Sequence, residues 1–215
     1  MRIDRLPEAL LDFLAPRSCA FCGTACNEVE GNLCAGCLED LPFSEAAVRP
    51  AVANLSTLVA VLGYEFPVDA AIKAFKFQRK SYYASAFAEV LLLARYSLPR
   101  DIDAVLPVPL HWLRRARRGY NQAEEIARPV AKALGLPIIR NVRRARSTPF
   151  QSGLDAAERA RNLRDAFVVR RALPFDHVLV VDDVITTGAT LESVARALRA
   201  AGVEKVSALC LASAG

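Results

Sequence analysis

The amino-acid sequence predicts an α/β protein with a mainly parallel sheet that carries helices on both faces, preceded by a small cysteine-rich module. After residue 99, apolar strand-like runs alternate with helix-like segments, which is the pattern of a parallel sheet. Residues 178–181 form a continuous apolar run, which is typical of a strand covered on both faces. Two pairs of closely spaced cysteines lie within residues 19–37. We therefore divide the chain into a module over 1–48 and a larger domain over 49–215.

The first half of the chain contains amphipathic helices and one strand. Leucines at helical spacing predict a short helix over residues 1–15. The apolar residues 59–64 predict a strand. Residues 69–77 and 84–95 predict two helices, because each carries its apolar side chains on one side.

The second half predicts alternating strands and helices. A strand over 102–108 ends in prolines, and a helix over 121–134 is closed by Gly135 and Pro137, which is a common helix stop. Residues 138–139 predict a brief strand. The elements that follow in chain order are a mostly irregular stretch at 143–165, strands at 166–169 and 178–181, a helix at 190–201 and a last strand at 206–211.

Composition and charge limit the class of protein. Of the 215 residues, 53% are hydrophobic, which is enough for a large core. No stretch approaches the ~18 uncharged apolar residues of a membrane span, and Asp4, Glu8 and Asp12 interrupt any signal-peptide core. We therefore expect a cytoplasmic protein without membrane insertion. The net charge of +5 favours polyanionic partners such as nucleic acid, pyrophosphate or a nucleotide, although a solvated charged face is the alternative.

The cysteines predict a metal site. Cys19 and Cys22 form one CxxC pair, and Cys34 and Cys37 form a second. Each pair brings two sulfurs to one tight turn, so the two pairs predict a tetrahedral structural Zn²⁺ site with these four ligands. Cys26 is interpreted as a bystander, although it could replace a ligand. A redox CxxC would not explain the second pair, and iron–sulfur ligation stays open.

Residues 182–190 combine two acids with a turn that leads into a helix. Free N–H groups at a helix N-terminus are an anion site, and phosphate is the usual guest. Asp182 and Asp183 suit hydrogen bonds from sugar hydroxyls, or a hydrated metal ion, beside that phosphate. An ordinary strand–turn–helix corner with two solvated acids is the alternative. The turn consists of Thr186, Thr187, Gly188, Ala189 and Thr190.

Two further loops carry basic residues. Residues 106–110 run from a predicted strand into an arginine run that suits pyrophosphate or nucleic-acid phosphate, and Asn121 is a candidate helix cap. A long polar loop over 144–162 is either functional or a mobile surface loop. The nucleic-acid candidates are Arg114, Arg115, Arg117 and Arg118. The candidate pyrophosphate or loop contacts are Arg118, Arg144, Arg146, Gln151 and Arg159.

Residues 178–190 resemble the phosphoribosyl pyrophosphate (PRPP) loop of type I phosphoribosyltransferases. The resemblance implies that Asp182 and Asp183 bind the ribose 2′ and 3′ hydroxyls at the catalytic centre. It also implies that Thr186 to Thr190 wrap the 5′-phosphate and that Mg²⁺ accompanies the pyrophosphate. A mobile loop in that family closes over PRPP and excludes water. Thr186 stands where purine phosphoribosyltransferases often have Asp, which argues against purine salvage.

Together these segments resemble the ComF family. The resemblance rests on the double CxxC module, on Pro-Val-Pro followed by residues 118–122, on Arg-x-Arg-x-Thr-x-x-Gln at 144–151, and on residues 182–190. It implies a type I phosphoribosyltransferase fold with a zinc-ribbon head. It also implies the handling of single-stranded DNA during natural transformation, or the use of DNA as a nutrient, with DNA-uptake machinery or a helicase as candidate partners.

These patterns leave competing hypotheses of function. The first is an enzyme that transfers the phosphoribosyl group of PRPP during DNA uptake. The second is a non-catalytic, zinc-dependent single-stranded DNA-binding protein for which PRPP is an effector or a vestigial ligand. A metal-stabilised scaffold is a third. No base-recognition signature is visible, so the sequence names no acceptor.

Overall fold

A computed structural model gives the structure of the chain for residues 17–27, 31–44, 52–78, 80–113, 116, 119–145 and 166–214. The chain forms two compact units, Met1–Leu41 and Pro42–Gly215. The predicted division after residue 48 stays a prediction, because residues 45–51 lie outside the described ranges. The helix predicted over residues 1–15 lies outside them as well.

The described part of the first unit consists of turns and one short helix, α1 (Ala35–Glu39). Ser18 and Ala25 form an isolated antiparallel bridge that closes the first CxxC segment into a tight loop. Cys34 is the N-cap of α1, and its sulfur accepts a hydrogen bond from the Cys37 N–H at 3.5 Å. The two cysteine pairs therefore lie on two short, hydrogen-bonded turns.

The second unit alternates strands and helices, as the sequence predicts. In chain order it contains β1 (Thr57–Gly63), α2 (Val68–Phe77), α3 (Tyr83–Leu93), β2 (Ala104–Pro107), α4 (Gln122–Leu134), β3 (Val142–Arg144), β4 (Phe167–Val169), β5 (His177–Ile185), α5 (Ala189–Ala200) and β6 (Lys205–Ser213). A 3-10 turn at Arg95–Ser97 lies between α3 and β2. The predicted helix stop at Gly135 is confirmed, since this residue ends α4 with a φ of 69°.

The main sheet is parallel, in the strand order β1-β6-β5-β2. This confirms the predicted fold class. The four residues of the predicted apolar run, 178–181, are fully buried in β5. Val178 and Val180 join the apolar core formed with α5, and alternate side chains of a strand point to opposite faces. The strand is therefore covered on both faces, and α4 packs against β2 and β5.

The strand predicted at 166–169 is found as β4, but outside the parallel sheet. It pairs antiparallel with β3, a strand that the sequence did not predict. Residues 143 and 144, at the start of the stretch that is predicted to be mostly irregular, therefore belong to a strand. The arginines of β3 interrupt the apolar alternation by which a strand is recognised. Residues 138–139 contribute only an isolated parallel bridge between Ile138 and Val105. Residues 146–165 lie outside the described ranges.

Candidate active site and metal centre

The candidate active site lies where β5 runs past the end of its neighbour β2. The pairing of β2 with β5 ends at Pro107 and Val181, and the Val108 N–H donates a last hydrogen bond to the Val181 carbonyl at 2.9 Å. On its other edge β5 stays paired with β6 as far as Ile185 and Ser213. Within the described part of the chain, residues 182–185 therefore have one open edge, at the carboxyl end of a parallel sheet, where ligands of such sheets bind.

Asp182 and Asp183 lie within β5, whereas the sequence predicted that they follow a strand ending at residue 181. The correction has a simple cause, because the pairing with β6 continues through both acids. Consecutive strand residues point to opposite faces, so the two carboxylates occupy different surroundings. Asp182 is partly exposed, and Asp183 is 7% exposed.

The electrostatic environment of the two acids is asymmetric. The loss of hydration in this partly enclosed position and the negative charge of Asp183 raise the pKa of Asp182 to about 7, and the positive charges of Lys76 and Arg144 limit this rise. The Asp182 Oδ1 accepts a hydrogen bond from the Asp183 N–H at 2.9 Å. Asp183 is instead paired with a cation, since its Oδ1 lies 2.8 Å from the Lys76 Nζ.

Lys76 is the residue of this site that sequence reasoning missed. It lies in the last turn of α2, and its side chain is 19% exposed. The Tyr120 hydroxyl donates a hydrogen bond to the Phe75 carbonyl, and the rings of Tyr120 and Phe75 lie 5.6 Å apart. The Phe75 ring in turn meets Phe87 of α3 edge to face at 5.6 Å. These contacts fix the end of α2 and hold Lys76 beside Asp183.

The turn between β5 and α5 is built around Gly188. Thr186 and Thr187 are exposed, and the Thr187 hydroxyl accepts a hydrogen bond from the Ala189 N–H at 3.5 Å. Gly188 is buried, has a φ of 76° and is the N-cap of α5. A Cβ at this position would lie 2.7 Å from the Cγ2 of Val52. The first backbone N–H groups of α5 therefore lie directly after a turn that only glycine fits.

The loop after β2 is described in part. Asn121 occupies the N-cap position of α4, but its side chain does not cap the helix. Its Nδ2 donates instead to the Val108 carbonyl at 3.1 Å and ties α4 to the end of β2. The prediction of a side-chain cap is therefore wrong. His111 is buried and accepts a hydrogen bond from the Leu113 N–H at 3.3 Å. The nucleic-acid candidates Arg114, Arg115, Arg117 and Arg118 lie outside the described residues.

Of the predicted contacts from the polar loop, only Arg144 belongs to the described residues. It ends β3, its Cζ lies 5.6 Å from the centre of the Phe167 ring, and its charge acts on Asp182. The remaining predicted loop contacts, which lie outside the described residues, are Arg146, Gln151 and Arg159.

The predicted cysteine ligands come together in the first unit. The sulfur atoms of Cys19, Cys22, Cys34 and Cys37 all lie within 4.8 Å of one another. The Cys22 and Cys34 sulfurs are 3.7 Å apart. Zn–S bonds of ~2.3 Å in a tetrahedron separate the sulfurs by about 3.8 Å, so the cluster fits a metal such as zinc.

Cys26 does not belong to this cluster of the described residues, and its sulfur faces the Thr24 carbonyl at 3.8 Å. The hydrogen bond with the Thr24 hydroxyl, together with that to its backbone, lowers the pKa of Cys22 to about 6. Burial and the neighbouring thiols raise the pKa of Cys37. Four thiolates this close together repel one another. A bound cation would offset that repulsion, and metal ligation requires the thiolate form.

A second polar cluster lies at the amino end of β5. The Asp101 Oδ1 lies 3.0 Å from His177 Nδ1, and His177 Nε2 lies 2.8 Å from the Ser207 hydroxyl. The order of the groups is that of a hydrolytic triad. Ser207 is fully buried in β6, however, so its hydroxyl cannot meet a substrate. The cluster joins the starts of β5 and β6 and is structural.

Comparisons with known proteins agree with this geometry. A family model described as "Phosphoribosyl transferase domain" matches residues 100–215. The chain is 34% identical over 209 residues to Competence protein F of Haemophilus influenzae, covering 92% of this chain and 86% of that protein. It is 33% identical over 204 residues to the DNA utilization protein YhgH of Escherichia coli strain K12, covering 90% and 88%. The matched domain includes the open end of β5 and the turn before α5. The chain therefore belongs to the ComF family of phosphoribosyltransferase-domain proteins.

Proposed function

We propose that this protein binds PRPP together with Mg²⁺ and acts as a phosphoribosyltransferase-type protein in the uptake or use of DNA. One observation carries the proposal. At the open end of β5, two adjacent carboxylates precede a glycine turn and a helix N-terminus within the matched phosphoribosyltransferase domain. That arrangement suits a sugar phosphate, because carboxylates accept bonds from hydroxyls and the helix start favours an anion.

Each part of the site has a proposed role. Asp182 and Asp183 accept hydrogen bonds from the ribose 2′ and 3′ hydroxyls. The turn over residues 186–190 holds the 5′-phosphate through its N–H groups and hydroxyls. Lys76 offsets the charge of Asp183 in the absence of ligand, since the two side chains form an ion pair at 2.8 Å. Bound Mg²⁺ would offset the charge of the pyrophosphate.

Transfer would proceed by displacement at the ribose C1. The acceptor forms a bond to C1 as the bond from C1 to the pyrophosphate oxygen breaks, and the acceptor loses its proton. Positive groups near the leaving pyrophosphate lower the barrier, because they stabilise the charge that develops there. Arg144 is a described candidate for this role, and Arg118, Arg146 and Arg159 are further candidates, with Gln151 as an uncharged contact.

The role in DNA metabolism rests on the relatives. The names Competence protein F and DNA utilization protein YhgH refer to competence and to the use of DNA. The net charge of +5 suits a nucleic-acid partner. We extend the proposal to single-stranded DNA as a partner, to DNA-uptake proteins or a helicase as neighbours, and to the cytoplasm as the compartment. There the reducing conditions keep the four clustered cysteines available for a structural Zn²⁺ ion.

Calorimetric titration with PRPP and Mg²⁺ tests the proposal. We expect Asp183→Asn to weaken PRPP binding by about tenfold or more, because hydrogen bonds to charged groups contribute ~1.5–3 kcal/mol. Asp176→Asn is the matched control, since this exposed carboxylate lies just before the opposite end of β5. Equal PRPP affinities for the wild type and Asp183→Asn would contradict the proposal.

Catalysis is tested separately. Pyrophosphate release from PRPP in the presence of candidate acceptors, abolished in Asp183→Asn and kept in Asp176→Asn, supports an enzyme. PRPP binding without release by any acceptor supports the alternative, a non-catalytic single-stranded DNA-binding protein with PRPP as effector.

A further inference from the structure

A groove lies beside α5, after the first turn of this helix. One wall is formed by β4 and the residues that follow it, and the other by the later turns of α5. The groove is open to solvent and has a volume of about 660 Å³. The phosphate turn lies before the first residue of α5, whereas the groove is lined by residues at and beyond the second turn of this helix, namely Ser193, Arg196, Ala197, Ala200 and Ala201. A volume of this size is in the range of small-molecule sites.

Among the residues that the structure describes, three arginines line this groove. Arg170 and Arg171 come from the chain after β4, and Arg196 comes from α5. Within the described part of the chain, none of these three side chains forms an ion pair or hydrogen bond, and none of the groove's lining residues is acidic. Like charges facing one space repel one another, so an anion between them is favoured electrostatically.

The backbone that carries the first two arginines is braced. The Arg170 N–H donates to the Asn141 carbonyl at 2.9 Å, and the Asn141 Nδ2 donates to the Arg171 carbonyl at 3.3 Å. The pairing of β3 with β4 continues this brace, and Arg196 stands on a helix. The guanidinium groups therefore extend from a preorganised frame, which lowers the entropy cost of binding.

The remaining wall of the groove is apolar and lined by small side chains. Ala197, Ala200 and Ala201 leave room along the helix, and Val169 and Phe167 lie on the opposite side. An inorganic anion would contact the arginines only. A ligand that joins a phosphate to a flat apolar group would contact both the arginines and the apolar wall, since arginine forks fit phosphate oxygens and a base packs on apolar surface.

We propose that this groove is a nucleotide-binding site, in which Arg170, Arg171 and Arg196 hold the phosphate and the alanine wall of α5 contacts the sugar or base. The ligand is a free nucleotide or a nucleotide within a single strand, because both present the same chemistry. The site is separate from the proposed PRPP site, and its occupation does not depend on phosphoribosyl transfer.

The test compares two charge-matched variants of the full-length protein. Arg171→Ser with Arg196→Ser removes one cation from each side of the groove. Arg95→Ser with Arg100→Ser removes the same charge from exposed arginines outside it. Thermal unfolding of each variant first establishes that the fold is kept. The probes are thymidine monophosphate, followed by calorimetry, and labelled oligothymidylate, followed by fluorescence anisotropy over a series of salt concentrations.

We expect the groove variant to lose about tenfold or more in affinity for the probe that binds, while the control variant stays near the wild type. For the oligonucleotide, the salt slope should fall by about 1.4 in the groove variant, since each lost phosphate contact of a single strand contributes ~0.7. Binding of the monophosphate identifies a free nucleotide as ligand, and binding of the oligonucleotide alone identifies a strand. Equal losses in both variants, no loss in either, or no binding of either probe to the wild type would overturn the proposal. PRPP affinity of the wild-type protein is measured in parallel. This measurement tests the proposed function by itself, so failure of the groove proposal can be distinguished from failure of the proposed function.

Discussion

Asp182 and Asp183 are neighbours in the chain but lie in different electrostatic surroundings. Asp183 faces the ammonium of Lys76 at 2.8 Å. Asp182 has no such partner at this distance among the described residues, and the loss of hydration together with the charge of Asp183 raises its pKa to about 7. The site therefore holds one carboxylate in an ion pair and one whose pKa is raised to about 7.

The raised pKa of Asp182 predicts a pH-dependent effect on stability. Between its unfolded pKa of ~3.9 and about 7, the folded protein binds a proton that the unfolded chain has lost. The stabilising contribution of Asp182 is therefore complete below pH ~4 and is lost as the pH rises through about 7. We expect the stability of Asp182→Asn relative to the wild type to increase between about pH 5 and about pH 8, as measured by urea unfolding.

The control for this experiment is Asp176→Asn, which changes an exposed carboxylate just before the same strand. Its difference from the wild type should stay constant across the same pH range. A constant difference for Asp182→Asn as well would contradict the assigned pKa.

Substitution of Gly188 should lower the free energy of unfolding for two separate reasons. Alanine there would adopt a positive φ, which costs ~1–2 kcal/mol, and its Cβ would meet the Val52 side chain at 2.7 Å. Gly202 also has a positive φ, 98°, but a Cβ there would meet no other atom of the described residues within 4 Å. We expect Gly188→Ala to reduce the free energy of unfolding by about 2–4 kcal/mol and Gly202→Ala by only ~1–2 kcal/mol.

Urea unfolding measures both losses, and a double variant separates the two causes. Adding Val52→Ala to Gly188→Ala should recover part of the stability, because it removes the close contact and leaves the backbone strain. Equal losses for the two glycine variants would show that Val52 does not restrict the turn.

At the scale of elements, α2 reaches the active site through its last turn. The helix carries two ion pairs one turn apart. Lys73 pairs with Asp69 of its own helix, and its side chain is 57% exposed. Lys76 pairs across to β5, and its side chain is 19% exposed. The first pair is worth little in water, whereas removal of the second leaves Asp183 buried without its cation.

The two lysines form a matched pair of variants. We expect Lys76→Met to lower the free energy of unfolding by about 2 kcal/mol or more at neutral pH, since loss of one partner of a buried ion pair costs ~3–5 kcal/mol and this pair keeps some solvent contact. Lys73→Met should cost no more than ~1 kcal/mol. Urea unfolding compares them, and similar losses would mean that the pair of Lys76 with Asp183 does not stabilise the fold.

At the scale of the whole molecule, the two units depend on different forces. The second unit has an extensive apolar core around its parallel sheet. The described part of the first unit holds one helix of five residues and a cluster of four thiols. So small a set of apolar contacts stabilises little structure, which is why we expect a bound metal to hold the first unit together.

Removal of the metal should therefore affect one unit only. We expect a chelator to abolish hydrogen-exchange protection over the described part of residues 17–41 while protection in β5 and β6 persists. Elemental analysis should find about one zinc ion per chain in the wild type and in Cys26→Ser, and almost none in Cys34→Ser. Full metal content in Cys34→Ser, or loss in Cys26→Ser, would contradict the ligand assignment.

Features that depend on nearby residues were predictable from the order of amino acids alone. The apolar run at 178–181 identified the central strand because a strand buried on both faces needs such a run. Gly135 marked a helix end because its backbone adopts a conformation that glycine favours. The spacing of the CxxC pairs identified the thiol cluster, since each pair spans one tight turn.

Contacts between distant segments became known only from the folded chain. Continued pairing with β6 placed the acids inside β5, and the partner of β4 proved to be β3 rather than the parallel sheet. The contact of Lys76 with Asp183 joins a helix to a strand far along the chain. Periodicity reports which side of an element is buried, but register and packing decide what it is buried against, and those depend on residues far apart in sequence.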